Sequence, residues 1–230
     1  MITLASNITE AIRGHKSRDN TRFSWRTFVD LAANGDDEGG RKPRDRIETA
    51  HWYARSHLKK LGKGGARAAY LLTSRSVLKI ALDVPGIDQN IEEWSASDDA
   101  PHDAPIARVL QHSESPMIWV VSELVRPVTN NVEFTSLSGY DLQDVMEILQ
   151  EARRELAAGK QPTERSVGDP FTWKLWSFIR KNNVALIDVN KLQHWGVTPD
   201  RRLVLLDYGY TIDMLRDVRA GFMGHLFDDD

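Results

Sequence analysis

Apolar positions along the chain change period several times, and the changes divide it. Trp25, Phe28, Val29 and Ala32 recur at helical spacing, so a short helix is expected over residues 24–33. Asn34-Gly35 stops it, and the polar run from Asp36 to Pro43 reads as a surface loop or linker. A second helix is expected over residues 46–60. Between Arg67 and Ala81 the pattern becomes β, with two apolar runs flanking the polar Thr73-Ser74-Arg75 of a hairpin turn. Asp83-Val84-Pro85-Gly86 then opens a helix, with proline in its first turn. Ile87, Ile91 and Trp94 form its expected apolar stripe. Runs over residues 105–110 and 117–123 read as strands, so the order is strand, strand, helix, strand, strand.

Beyond Leu124-Val125-Arg126-Pro127 the period returns to helix. Residues 141–158 carry Leu142, Val145, Met146, Leu149 and Ala152 on one face, and Gly159 is the stop. Asp169-Pro170 supplies an N-cap and a first-turn proline for the next helix, which buries some combination of Trp173, Leu175, Trp176 and Ile179. Val184-Ala185-Leu186-Ile187 looks β-like, and residues 203–206 form a second strand after a loop containing Pro199-Asp200.

Composition narrows the class. The chain has 230 residues, 41% hydrophobic and 27% charged, which suits one domain or a two-lobed one with a real core. With no cysteine, disulfides and thiolate metal sites are excluded. A formal charge of −3 does not recommend nucleic acid or an acidic membrane as partner. Without a transmembrane run or a signal-like start, a cytoplasmic protein is expected. No H-E-x-x-H, no Gly-x-Ser-x-Gly elbow and no Walker A loop occurs.

Candidate chemistry falls on a few residues. Gly62-Lys63-Gly64 matches the first half of G-x-G-x-x-G, with Arg67 where the third glycine would stand. Two readings of Arg67 remain open: a cation covering phosphates, or an exposed strand residue. Lys79 interrupts an otherwise apolar strand. It either faces solvent, opposite Leu78 and Ile80, or lies buried and requires an anionic partner. Glu92 and Glu93 lie off the apolar stripe by similar angles, and periodicity does not choose between them as that partner. Asp207 ends the apolar run Leu203-Val204-Leu205-Leu206, where either a Mg²⁺ ion would partner it or it simply closes the strand in an Asp-x-Gly turn, with Gly209 permitting a sharp bend.

A glycine turn, a strand lysine and an aspartate ending a later strand resemble the protein-kinase-like fold, and in particular the small divergent kinase-like proteins of tailed bacteriophages. The resemblance covers about four-fifths of the chain. It implies an α+β fold of two lobes: an antiparallel-sheet N-lobe over 47–123, a truncated helical C-lobe over 124–230, and an N-terminal helical extension and linker over 1–46. It implies ATP and Mg²⁺ as ligands, with Gly62 and Gly64 above the phosphates, Lys79 neutralising them, and Glu123 to Val125 as the hinge along adenine. The segment Gly86-Ile87-Asp88-Gln89-Asn90-Ile91-Glu92-Glu93 resembles a Gly-x-x-Gln-Asn-x-x-Glu pattern of the phage proteins, which favours Glu93 as the lysine's partner. The catalytic loop has two registers. One sets Asp188 as base and Gln193 as the metal-binding amide beside Asp207; the other sets Val189 and His194 there. Only 230 − 209 = 21 residues follow Gly209, so the resemblance leads one to expect a C-lobe without the usual peptide-binding helices. Two function classes follow: phosphoryl transfer to a protein hydroxyl, such as that of a host protein, or an inactive pseudokinase serving as an interaction or virion-associated module.

Overall fold

The structure is a computed structural model and describes residues 23–33 and 43–214. The expected linker run lies outside those residues up to Lys42, with its Pro43 beginning a helix, and the acidic Asp228-Asp229-Asp230 lies outside them too. The fold is α+β, with a five-stranded antiparallel sheet in the order β1-β2-β3-β5-β4. Helix α1 (Trp25–Ala33) and helix α2 (Pro43–His57) precede β1 (Lys59–Lys63), β2 (Arg67–Thr73) and β3 (Ser76–Ala81). Helix α3 (Val84–Asp98) then leads to β4 (Val109–His112) and β5 (Trp119–Glu123).

Several expectations change here. The helix expected to reach residue 60 stops at His57, whose ring hydrogen-bonds Tyr53 O at 2.9 Å, and Lys59 and Lys60 already pair with Leu71 and Tyr70. A strand therefore precedes the two that were expected. Helix α1, within the expected N-terminal extension, packs against the sheet. Phe28 is fully buried, and Trp25 and Phe28 pack on Trp119 with ring centroids 5.0 and 5.8 Å away. Together with Ala50, Tyr53, Leu78, Ile80 and Ile118 they form the core behind the sheet.

Helix α3 buries a different face from the expected stripe. Ile87, Asn90, Glu93, Ala96 and Ser97 turn inward, while Ile91 is 40% exposed. A polar face can be buried because its groups are paired. Asn90 Nδ2 donates to Met117 O at 3.0 Å, and Ser97 Oγ accepts from Val109 N at 2.9 Å. The helix start is capped by Asp83, which accepts from Gly86 N at 3.0 Å. A β-carbon at Gly86 would sit 2.1 Å from Ala66 O, so glycine alone lets the helix press against the glycine turn.

The second half holds β6 (Arg126–Pro127), α4 (Asn131–Ser138), α5 (Leu142–Ala157), α6 (Glu164–Val167), α7 (Pro170–Lys181), α8 (Leu186–Val189), a 3₁₀ turn (Leu192–His194), β7 (Trp195–Val197) and β8 (Leu203–Leu205). Asp169 caps α7 as expected, accepting from Phe171 N and Thr172 N, and Asp141 caps α5 in the same way, accepting from Asp144 N. Val145 and Leu149 of α5 meet Leu175 and Trp176 of α7 in a second core that includes Val189, Trp195 and Leu205. The β-like run 184–187 is not a strand. Val184 makes one bridge to Thr211, and the chain then turns helically, with Asn190 N donating to Leu186 O at 3.1 Å.

The expected strand 105–110 divides its pairing, and the division joins the two cores. Ala107 N donates to Leu205 O and Leu205 N to Pro105 O, each at 2.9 Å, so residues 105–107 run beside β8. Val109 onward pairs with β5. The chain thus carries the end of β8 up against the five-stranded sheet, where β3 and α3 meet it.

A buried histidine gives this assembly a pH dependence. His51 Nε2 donates to Ala81 O at 2.8 Å and Nδ1 accepts from the Tyr70 hydroxyl at 3.0 Å, the roles of a neutral ring. Burial, with Arg55, Lys60 and Lys63 nearby, lowers its pKa despite the Ala81 bond. The unfolded chain therefore takes up the proton first as pH falls. The contribution is whole above the ordinary value of 6.5 and is lost below it, toward the lower folded pKa. Melting followed by circular dichroism from pH 8 to 5.5 should show the midpoint fall, with a shallower slope for His51→Gln; parallel slopes would count against this role. His194 titrates with the same sign, so the slope should shrink without vanishing.

Candidate functional site

Four charged side chains meet where β2, β3, α3 and the end of β8 converge. Lys79 Nζ lies 2.5 Å from Glu93 Oε1 and donates to Leu206 O at 2.9 Å. Alternation does put Lys79 opposite Leu78 and Ile80, which are fully buried, but it faces α3 and not open solvent. Glu93 has no exposed surface, and Ser122 Oγ donates to its Oε1 at 3.2 Å. The structure thus joins Lys79 to Glu93 and leaves Glu92 on the partly exposed side of the helix.

Arg67 completes the cluster. It is 8% exposed, and its Nη1 donates to Glu93 Oε2 and its Nη2 to Asp207 Oδ1, both at 2.5 Å. It is a buried bridge between two carboxylates and not an exposed strand residue. Burial works against its charge, but Glu93 and Asp207 more than offset this and its pKa lies above the ordinary arginine value. Burial likewise pushes the Asp207 carboxyl up, while Arg67 and Lys79, with His194 and Lys191 beyond, hold it below the usual range. Its side chain remains 42% exposed.

The Asp207 turn is braced from both sides. Tyr208 is buried, stacks edge-on with Phe178 at 5.3 Å, and donates its hydroxyl to Ala107 O at 2.6 Å. A β-carbon on Gly209 would sit 2.4 Å from Gln89 O, so this glycine lets the turn lie directly on α3. Leu206 N donates to His194 O at 2.7 Å, which seats the 3₁₀ turn beside the strand end.

Of the four residues that the two registers name, the structure brings Asp188 and His194 together. Asp188 is buried, with Lys191 Nζ 2.9 Å from its Oδ1 and His194 Nδ1 3.5 Å away. Burial raises its pKa, opposed by the Lys191 bond and reinforced by the negative charge of Asp207. Burial lowers that of His194, against the pull of Asp207 and Asp188, so its ring is neutral near pH 7. His194 Nδ1 is buried without a hydrogen-bond partner among the described residues. Gln193 is exposed, and Val189 is fully buried in the second core. Sequence spacing could not yield this pairing, because α8 and the 3₁₀ turn set the angle between Asp188 and His194.

The glycine turn itself joins β1 to β2. Gly62 pairs with Ala69 beside a bulge, and Gly64 N donates to Arg67 O at 2.8 Å. Gly64 and Gly65 are exposed at the tip. At the expected hinge, Glu123 accepts from Arg108 N at 3.0 Å, and Val125 packs with Ala107, Val204 and Leu206. Leu61, Val77 and Leu124 form an apolar patch at the crossing, with Ala69 packed against it. A cavity of about 440 Å³ adjoins Leu124, Val125, Glu133 and Thr198, but none of the four clustered charges lines it.

Glu93 anchors both cations, so its removal should be costly. Breaking a buried ion pair from one side costs about 3–5 kcal/mol. Glu93→Ala should lose stability on that scale in guanidinium denaturation, whereas Glu92→Ala should stay within about 0.5 kcal/mol of the parent. Equal losses from the two would remove Glu93 from its place as the shared counterion. A scan against protein-family models matches none, and a search of curated proteins likewise finds no match, so the functional reading rests on this geometry.

Proposed function

We propose that the chain is a two-lobed protein-kinase-like protein of the small bacteriophage type, which binds ATP with Mg²⁺ and transfers the γ-phosphoryl group to a protein hydroxyl. One observation carries the reading. A strand lysine bonded to a fully buried helix glutamate stands beside a half-exposed aspartate that ends a strand. Lys79 is thereby fixed near where phosphates would lie, and Glu93 balances it without competing for a ligand. Adenine would lie along Glu123 to Val125, beneath the Leu61, Val77 and Leu124 patch, with Gly62 and Gly64 above the phosphates.

The donors suit a metal ion that arrives with the nucleotide. Asp207 offers a carboxylate with solvent access, and magnesium sites of this kind combine one or two carboxylates with substrate phosphates. When bound, the ion would neutralise charge developing on the phosphates. The chain's own residues supply the rest. Asp188, its pKa raised by burial, is the better proton acceptor of the two aspartates. It would orient the acceptor hydroxyl and take its proton as the oxygen bonds to the γ-phosphorus. The bond from that phosphorus to the bridging oxygen then breaks, and ADP leaves.

A second reading, a pseudokinase that serves as an interaction or virion-associated module, is favoured by two specific observations. Arg67 is bonded to Asp207, and Gln193 is exposed, away from the amide role given it by the resemblance. Either reading implies a protein partner in the host cytoplasm or the virion. Among the described residues no helix is long and apolar enough to cross a membrane.

Thermal-shift titration with ATP and Mg²⁺ separates binding from its absence. Stabilisation should follow ligand excess, reaching about 2.7 kcal/mol at a hundredfold excess over Kd. Labelled phosphate transfer, autophosphorylation included, then tests the chemistry. Asp207→Asn should abolish it, and Asp188→Asn should reduce it by about 10²–10⁴-fold. A parent protein that binds ATP yet transfers nothing with Mg²⁺ or Mn²⁺ to itself or to bacterial extracts supports the module reading.

A further inference from the structure

Arg67 occupies the place where a third glycine would complete the turn pattern, yet it does not behave as a turn residue. It is the first residue of β2, paired with Ala81 of β3, so its side chain leaves from a strand and not from the exposed tip. The two ends of its guanidinium meet unlike partners. Nη1 donates to Glu93, which has no exposed surface, with Asn90 Oδ1 at 3.4 Å. Nη2 donates to Asp207, whose side chain is 42% exposed. One end is anchored inside the protein, and the other holds an acid that solvent and ligands can reach.

We propose that Arg67 is the residue that reads phosphate in this cleft, its Nη2 edge exchanging Asp207 for a phosphate oxygen while Nη1 stays on Glu93. This rests on the nucleotide reading above and adds to it the group that selects a polyphosphate. Charge supports the exchange. Within the cluster, Arg67 and Lys79 are balanced by Glu93 and Asp207, so an incoming triphosphate meets no excess of positive charge from these four groups. Once Asp207 is released, two cations face the phosphates and the freed carboxylate is available to the ion that travels with them. Geometry supports it as well. A planar guanidinium can bond two separate oxyanions from its two ends, which a lysine ammonium does with less directional control. Burial selects which end moves. Withdrawing the whole side chain would leave Glu93 with Lys79 and Ser122 alone, whereas releasing Asp207 returns a carboxylate to water.

The test compares the parent, Arg67→Ala and Arg67→Lys by calorimetric titration with adenosine, ATP and inorganic tripolyphosphate at fixed Mg²⁺. Arg67→Ala should weaken ATP and tripolyphosphate about tenfold or more and leave adenosine unchanged, with Arg67→Lys intermediate because it keeps the charge and loses the fork. Arg67→Ala binding ATP as tightly as the parent, or more tightly, would overturn the proposal and make Arg67 a plug. Equal loss of adenosine would overturn it too, by marking a purely structural role. Should the alanine variant fail to fold by circular dichroism, Arg67→Lys decides: full ATP affinity overturns the proposal, and weakened ATP with intact adenosine upholds it. A parent that binds tripolyphosphate but not adenosine sinks the nucleotide reading and leaves Arg67 in place. A parent whose ATP affinity ignores residue 67 does the reverse, and a parent that binds none of the three overturns both.

Discussion

Glu93 takes a carboxylate wholly out of water, and the arrangement around it follows from that cost. An isolated buried charge is unfavourable by several kcal/mol, so it must be paired and its oxygens hydrogen-bonded. Oε1 receives Lys79 and Ser122, and Oε2 receives Arg67. Those donors come from β3, β5 and β2, so one side chain of α3 ties the helix to three strands. Arg67 and Lys79 extend the tie to Asp207 and to Leu206 O. The position of the end of β8 relative to the sheet is therefore written into a single charge-balanced cluster as well as into packing.

Packing supplies what that cluster cannot. Ion pairs fix directions over a few ångströms but bury little apolar surface, and the two cores on either side provide the bulk of the driving force. Their connection is the backbone pairing of residues 105–107 with Leu205, backed by the Tyr208 hydroxyl on Ala107 O. Gly86 and Gly209 are the two places where α3 approaches backbone too closely for a side chain, at the glycine turn and at the Asp207 turn. The helix is thus pinned at both ends of the cluster, and neither end can slide without a clash. That rigidity is what allows a site to hold two cations and two carboxylates at bonding distance.

How much of this could be read from residues alone depended on the range of the interaction. Lys79 and Asp207 stood out because each interrupts or ends an apolar strand, a local conflict visible within a few positions. The cap at Asp169 was legible for the same reason. The buried face of α3 was not, because Ile87, Ile91 and Trp94 offered a stripe by hydrophobicity, whereas the helix is oriented by Glu93 and Asn90 finding partners on other elements. Arg67 was illegible in a stronger sense. Its partners lie 26 and 140 positions away, and nothing within its own turn distinguishes a bridging guanidinium from a solvated one. The short strands β6 and β7 and the turn at Asp188 failed to show because each is only two to four residues long, below the length at which a period can be counted.

The pairing of Asp188 with His194 follows from the same contrast between local pattern and tertiary constraint. Trp195 is fully buried and donates its indole N–H to Val189 O at 2.8 Å, which locks the chain on either side of the intervening loop. With Val189 and Trp195 both committed to the core, residues 190–194 must arch outward over them. The 3₁₀ turn at the top of that arch places His194 against Asp188 and leaves Gln193 facing solvent. A neutral imidazole beside a carboxylate of raised pKa is a softer, more readily titrated pair than the aspartate and amide of the resemblance. Lys79, Glu93 and the strand-end Asp207 thus share one cluster with Arg67, and Asp188 with His194 lies beside it. Arg67 and His194 each set a group able to carry charge or exchange protons near Asp207, so the electrostatics of the cluster centre on that one carboxylate.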